Sequence, residues 1–126
     1  RVVDVGCGIG DFLAYYRNAV GLDVDADNIE FCRSRGLEAY PITAAVYPFA
    51  ENTFDSAILD NVLEHLVDPD LTVKEISRVL RPDGTLVVGV PGIVGYAADP
   101  DHKVFYSESA LIQYLEARSR YQPDAI

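Results

Sequence analysis

Arg1-Val2-Val3-Asp4-Val5-Gly6-Cys7-Gly8-Ile9-Gly10 is the stretch whose reading decides the fold. Val2, Val3 and Val5 form the short, continuous, β-branched run of a strand covered on both faces. Gly6, Gly8 and Gly10 then let the backbone take positive φ and come close to a ligand. The stretch predicts a buried strand running into a ligand-binding turn.

Working outward, Asp11 to Asn18 carries Phe12, Leu13, Tyr15 and Tyr16 at a spacing that fits a short helix. Its N-terminus would lie over the glycines and favour an anion or carboxylate there. Val20 to Val24 is a second apolar strand holding Asp23. Asp25 or Asp27 then caps a helix with Ile29, Phe31 and Cys32 on its inner side, ended by Gly36. Leu37 to Ile42 reads as a third strand, the residues around Pro48 as a loop, and Phe54 to Leu59 as a fourth strand. Asp60 and Asn61 open a helical segment through Leu66. Leu71 to Leu80 is an amphipathic helix with Leu71, Val73, Ile76, Val79 and Leu80 turned inward. Pro82-Asp83-Gly84 is a turn into Thr85 to Val90, a fifth buried strand. Gly92 to Tyr106 reads as a loop, and Ser107 caps a last helix through Glu116 with Ala110, Leu111, Tyr114 and Leu115 inward.

Strands alternating with helices predict an α/β fold, a Rossmann-like three-layer sandwich with a mainly parallel sheet of about five strands. Ligands bind such sheets at the carboxyl ends of the strands, where strand order reverses. The glycine turn, Asp23 and Asp60 are therefore expected to converge.

The totals narrow the function. The 126 residues are 49% hydrophobic, the composition of one folded domain rather than a disordered chain. Ten Lys and Arg against twenty Asp and Glu give a net charge of −10, which repels nucleic-acid phosphates and anionic membranes. No apolar run approaches the roughly 20 residues of a membrane span, and nothing at the N-terminus reads as a signal peptide, so a cytoplasmic location is expected. Cys7 and Cys32 make neither a disulfide framework nor a zinc pattern and read as reduced thiols. The sequence has no methionine and opens inside a strand. It is expected to be a single domain, 1–126, cut at both ends from something longer.

The glycine spacing separates two ligand classes. A dinucleotide fingerprint places its third glycine three residues after the second, a position that Asp11 holds here. Instead the glycines alternate and follow Asp4. Asp-Val-Gly-Cys-Gly-Ile-Gly resembles the first motif of the class I S-adenosylmethionine-dependent methyltransferases. Gly-Leu-Asp-Val-Asp at Gly21 to Asp25 resembles that family's second strand. Phe54-Asp55, the run Val62-Leu63-Glu64-His65, Asp68-Pro69 and Ile76 to Gly84 resemble its fourth strand, the helices that follow and the turn into strand five.

The resemblance implies a strand order of 3-2-1-4-5 and S-adenosyl-L-methionine as cofactor, leaving as S-adenosyl-L-homocysteine. Gly6, Cys7, Gly8 and Gly10 would meet the methionine part, and Asp4 its ammonium group. Asp23 would accept hydrogen bonds from the ribose hydroxyls, a charge-assisted pair. Val24 would lie against adenine, and Leu59 and Asp60 near the sulfonium. Thr43 stands where an Asp commonly precedes the adenine contact, so Thr43 or a backbone group of Ala44 would substitute. The family's sixth and seventh strands have no counterpart here, leaving a sheet edge through which a homo-oligomer could form.

Methyl transfer from a sulfonium needs alignment and exclusion of water, with a general base only for some acceptors. His102, in Asp99-Pro100-Asp101-His102, and His65 are the candidates for that base. His65 also has a packing role open to it. Tyr96, Phe105 and Tyr106 are candidates to line an acceptor pocket. Small-RNA and some quinone-biosynthesis methyltransferases carry Glu-x-x-Glu-His in this helix to hold a divalent cation. Here the triplet is Asn61, Glu64 and His65; it lacks the first carboxylate, and no metal is expected. Methylation of a small molecule at O, N or C is the leading reading, with no nucleic-acid or membrane partner. A non-catalytic cofactor- or partner-binding domain and an NAD-dependent oxidoreductase are the alternatives.

Overall fold

The structure is a computed structural model that describes residues 1–42, 46–66, 69–102 and 106–117. Thr43, Ala44, Asp68, Phe105 and the stretch 118–126 lie outside them. Five parallel strands, β1 (Val2–Val5), β2 (Ala19–Asp23), β3 (Ala39–Pro41), β4 (Phe54–Asp60) and β5 (Leu80–Gly89), stand in the order β3-β2-β1-β4-β5. The chain starts at the centre, builds one wing and returns to build the other. Strand order therefore reverses between β1 and β4, the place where α/β sheets bind ligands.

Side chains alternate across β2 and define the layers. Val20 and Leu22 join Val3, Val5, Phe54, Ala57 and Leu59 in the larger core, beneath α3 (Asp70–Val79) and α5 (Glu108–Ala117). Ala19 faces the smaller cluster formed with Leu13 of α1 (Asp11–Tyr15) and with Ile29 and Cys32 of α2 (Ala26–Ser34). Gly21 shares that face, and a Cβ on it would lie 2.6 Å from both Cys7 Sγ and Leu13 Cδ1. The helices do cover both faces.

Several local expectations are corrected. α1 ends at Tyr15, because Tyr16 takes extended backbone, and Tyr15 is 89% exposed. Phe31 and Leu71 also face outward, and Ala110 is exposed. Gly36, at φ +72, does end α2. The Asp60 to Leu66 segment holds only a 3-10 turn at Leu63–His65. Leu80 pairs with Phe54 and Thr85 with Ser56, so Pro82-Asp83-Gly84 is an irregularity inside β5 rather than a turn before it. β5 is an edge strand with Val87 half exposed, not a buried one. A short helix, α4 (Ile93–Ala98), occupies part of the expected loop. Among the described residues no helix is long and apolar enough to cross a membrane.

One ion pair ties the loop before β4 to α3. Glu75 is buried and accepts from the Tyr47 amide, while Arg78 donates to Glu75 at 2.6 Å and to the Phe49 carbonyl at 2.8 Å. The Arg78 hydrogen bond holds the Glu75 carboxyl below its ordinary pKa. Arg78→Ala would leave the buried Glu75 carboxylate without its cation and the Phe49 carbonyl without this donor, and we expect it to cost about 2–4 kcal/mol in urea unfolding at pH 7. The Glu75 contribution is present above its unfolded pKa and is lost as pH falls through the folded value. The difference from wild type should therefore shrink in acid.

Candidate functional site

The glycine turn is braced from within. Gly6 and Cys7 donate their amides to the Leu22 carbonyl at 2.7 and 2.9 Å, Gly10 to Cys7 at 3.0 Å, and Gly8 to Asp23 Oδ2 at 2.8 Å. Gly6, Gly8 and Gly10 all have positive φ, +78, +56 and +91. They differ in surroundings: a Cβ on Gly6 would lie 2.5 Å from Val62 Cγ2, one on Gly10 would lie 2.7 Å from Leu37 Cδ1, and one on Gly8 would meet nothing within 4 Å. Gly6 and Gly10 let the turn pack down, whereas Gly8 leaves open space above it.

Asp23 ends β2 nearly buried, and its other oxygen accepts from the Asp25 amide at 2.9 Å. Asp25 in turn caps α2 through the Asp27 and Asn28 amides. Each Asp23 oxygen thus makes one protein hydrogen bond and keeps acceptor capacity for a ligand. Val24, next in the chain, is 78% exposed and offers an apolar surface beside it.

Asp4 is 7% exposed. Burial, then the charges of Asp60 and Asp23, push its carboxyl up to about 6. Three carboxylates thus meet where strand order reverses, as the sequence pattern predicts. Folding binds a proton at Asp4 that the unfolded chain, with its carboxyl near 3.8, has released between about pH 4 and 6. Stability therefore falls as pH rises through that window, by on the order of 3 kcal/mol once Asp4 is ionised. Asp4→Asn is expected to melt higher than wild type at pH 8 without ligand and to lose that advantage at pH 4. A cationic ligand group reverses the penalty, so wild-type affinity for it should rise as pH increases through 6.

Other site residues are placed as follows. Asp60 is exposed at the end of β4, its carboxylate over Gly89, where an added Cβ would lie 2.1 Å from Oδ1. Leu59 is fully buried in the core, so it can give a ligand only main-chain atoms. The Cys7 thiol is turned beneath the turn beside Cys32, and burial raises its pKa far above the ordinary thiol range. Both cysteines are free and buried, and both lie near the Gly8 carbonyl.

The acceptor-side candidates come together. The His65 and His102 rings are 4.7 Å apart, and the Tyr96 ring stacks on His102 at 5.6 Å. His102 Nδ1 donates to the Tyr96 carbonyl at 3.0 Å, and His65 Nδ1 lies 2.9 Å from Asp101 Oδ2. Tyr106 instead packs against the core and the Tyr114 ring. Glu64, which the sequence reading weighs only as part of an incomplete metal triplet, sits beside both histidines: it is fully buried, and neither carboxylate oxygen has a hydrogen-bond partner among the described residues. Its place next to His65 was visible in the sequence, but the approach of His102 was not.

Known proteins share this fold. A family described as a methyltransferase domain matches residues 3–88. The chain belongs to it, and to the class I S-adenosylmethionine-dependent methyltransferases. It is 41% identical over 95 residues to a fatty-acid O-methyltransferase of Mycolicibacterium smegmatis, covering 67% of this chain and 34% of that protein. It is 29% identical over 121 residues to the human "Probable tRNA methyltransferase 9B", covering 92% of this chain and 26% of that protein. A methyltransferase structure from Thermotoga maritima, described as a possible histamine N-methyltransferase, superposes with a TM-score of 0.82 at 26% identity, over 94% of this chain and 62% of that one. The chain thus spans about a third or less of these two curated relatives.

Proposed function

We propose that the protein methylates a small-molecule acceptor at oxygen, nitrogen or carbon, using S-adenosyl-L-methionine. The observation that carries this reading is the convergence of the glycine turn with Asp4, Asp23 and Asp60 at the strand-order reversal. The residues fit the cofactor: Gly8 opens a space that a side chain would fill, Asp4 is a buried carboxylate short of a cation, and Asp23 has acceptor capacity left. The cofactor supplies a methyl group already activated by sulfonium charge and leaves as S-adenosyl-L-homocysteine.

The chain's own residues bind and align. Asp23 accepts from the ribose hydroxyls, Asp4 faces the ammonium group, Val24 borders adenine, and Asp60 with the main chain of Leu59 borders the sulfonium. On the acceptor side, His102 and His65 each keep one ring nitrogen free of the bond that orients them, and either can take a proton from a hydroxyl acceptor.

A net charge of −10 favours small acceptors over nucleic acid, although one relative is named for tRNA. Incubation with methyl-labelled cofactor decides between them. Label entering fatty acids or other small hydroxylated and amine acceptors, with none in tRNA, is the expected result. Label in tRNA alone would overturn the choice of acceptor class.

A further inference from the structure

We propose that Glu64, His65 and His102 form a binding site for one divalent first-row transition metal ion. One atom from each residue falls within a group whose members all lie within 4.8 Å of one another. Both imidazoles are oriented by their Nδ1 atoms: a backbone carbonyl can only accept, so His102 carries its proton on Nδ1, and the Asp101 carboxylate selects the same tautomer for His65. That leaves two Nε2 lone pairs facing the Glu64 carboxylate, at 3.6 Å from His65 and 4.0 Å from His102. These separations are too long for hydrogen bonds.

Two lone pairs and a carboxylate thus converge with no donor among them. Glu64 is fully buried and, among the described residues, both its oxygens are unpartnered, a costly arrangement for a carboxylate unless a cation occupies the gap. Ligand atoms at about 2.0–2.2 Å around a tetrahedral ion stand about 3.4 Å apart, so the 3.6 and 4.0 Å separations, in a group that spans up to 4.8 Å, would have to draw in around the ion. A backbone carbonyl or carboxylate bonded to the far nitrogen is the usual support of a metal-bound histidine. Two imidazoles and one carboxylate favour zinc, cobalt, iron(II) or manganese over magnesium and calcium, which prefer all-oxygen shells. The carboxylate missing at Asn61 is replaced by a nitrogen ligand from a distant loop. Asp99, whose Oδ2 is 3.6 Å from His102 Nε2, stands at the exposed side of the group. Open coordination positions would take an oxygen of the acceptor, and the ion would then activate it in place of the histidines, since an Nε2 that ligates a metal cannot also accept a proton; that role rests on the methyl-transfer reading, and the site itself does not.

Chelator-treated protein is titrated with cobalt(II), zinc(II) and magnesium(II) in the absence of S-adenosylmethionine, followed by calorimetry and the visible spectrum of bound cobalt. The expected result is one equivalent of cobalt with a nitrogen-ligated spectrum, displaced by zinc, and at least about 100-fold weaker binding in His102→Ala. The surface variant Asp101→Ala, which loses only the orienting carboxylate, should weaken binding about 10-fold. Failure of wild type to bind cobalt or zinc more tightly than His102→Ala, or equal affinity for magnesium, overturns the proposal. Cofactor binding measured separately in the chelated protein keeps a failure here distinct from a failure of the methyltransferase reading.

Discussion

Asp23→Ala is expected to lower the affinity for S-adenosylmethionine by at least about 100-fold. The carboxylate has two tasks, and alanine removes both. It clamps the turn through the Gly8 amide at 2.8 Å and starts α2 through the Asp25 amide at 2.9 Å, so its loss leaves two backbone donors unpaired. In the proposed function it would also supply the charged acceptor for the ribose hydroxyls, and hydrogen bonds to a charged group contribute about 1.5–3 kcal/mol each. Two such bonds account for the expected loss. Asp23→Asn retains an oxygen for the Gly8 amide but no charge. Its amide nitrogen would face the Asp25 N–H, so it should recover only part of the stability while still binding weakly, which calorimetry with denaturant unfolding will separate.

The second large effect is a contrast between neighbouring glycines. Gly10→Val is expected to destabilise the protein by about 3–5 kcal/mol, since φ +91 is costly for a β-branched residue and its Cβ would lie 2.7 Å from Leu37 Cδ1 and 2.9 Å from Cys32 Sγ. Gly8→Ala meets no protein atom within 4 Å, so only the cost of its positive φ remains, about 1–2 kcal/mol. It should fold but fill the space the cofactor needs, with at least about 10-fold weaker binding. Equal effects of the two substitutions on unfolding would mean that the turn is a structural element alone.

These contrasts follow from what was legible in the sequence. A β-branched run, a glycine turn and an Asp that caps the next helix are local signals, and β1, the turn and the start of α2 stand where those signals place them. The boundaries that differ were set by distant partners. Leu80 reads as the last residue of a helix face, but pairing with Phe54 draws it into β5, and the following Pro-Asp-Gly is absorbed into the strand. Leu71 fits the apolar spacing of α3, yet among the described residues it stands exposed. Tyr15 has helical spacing without a neighbour to pack on. Ile93–Ala98 falls within the Gly92 to Tyr106 stretch read as loop, and it forms a short helix.

The candidate site divides in the same way. Asp4, Asp23 and Asp60 could be brought together from the sequence because a parallel sheet puts its strand ends on one side. The grouping of Glu64 with His102 could not, because it depends on how the loop after α4 returns to the 3-10 turn. Glu64 shows why burial matters: in sequence it is one acid among twenty Asp and Glu, and in the fold it is fully buried without a hydrogen-bond partner among the described residues.

The central claim is that the turn at Gly6 to Gly10 and Asp23 bind S-adenosylmethionine rather than a dinucleotide. Titration of the protein with S-adenosylmethionine and, separately, with NAD tests it most directly. Saturable binding of S-adenosylmethionine at one site, removed by Asp23→Ala, with no heat from NAD, is the predicted result. Saturable binding of NAD without binding of S-adenosylmethionine, or S-adenosylmethionine binding unchanged by Asp23→Ala, would contradict it.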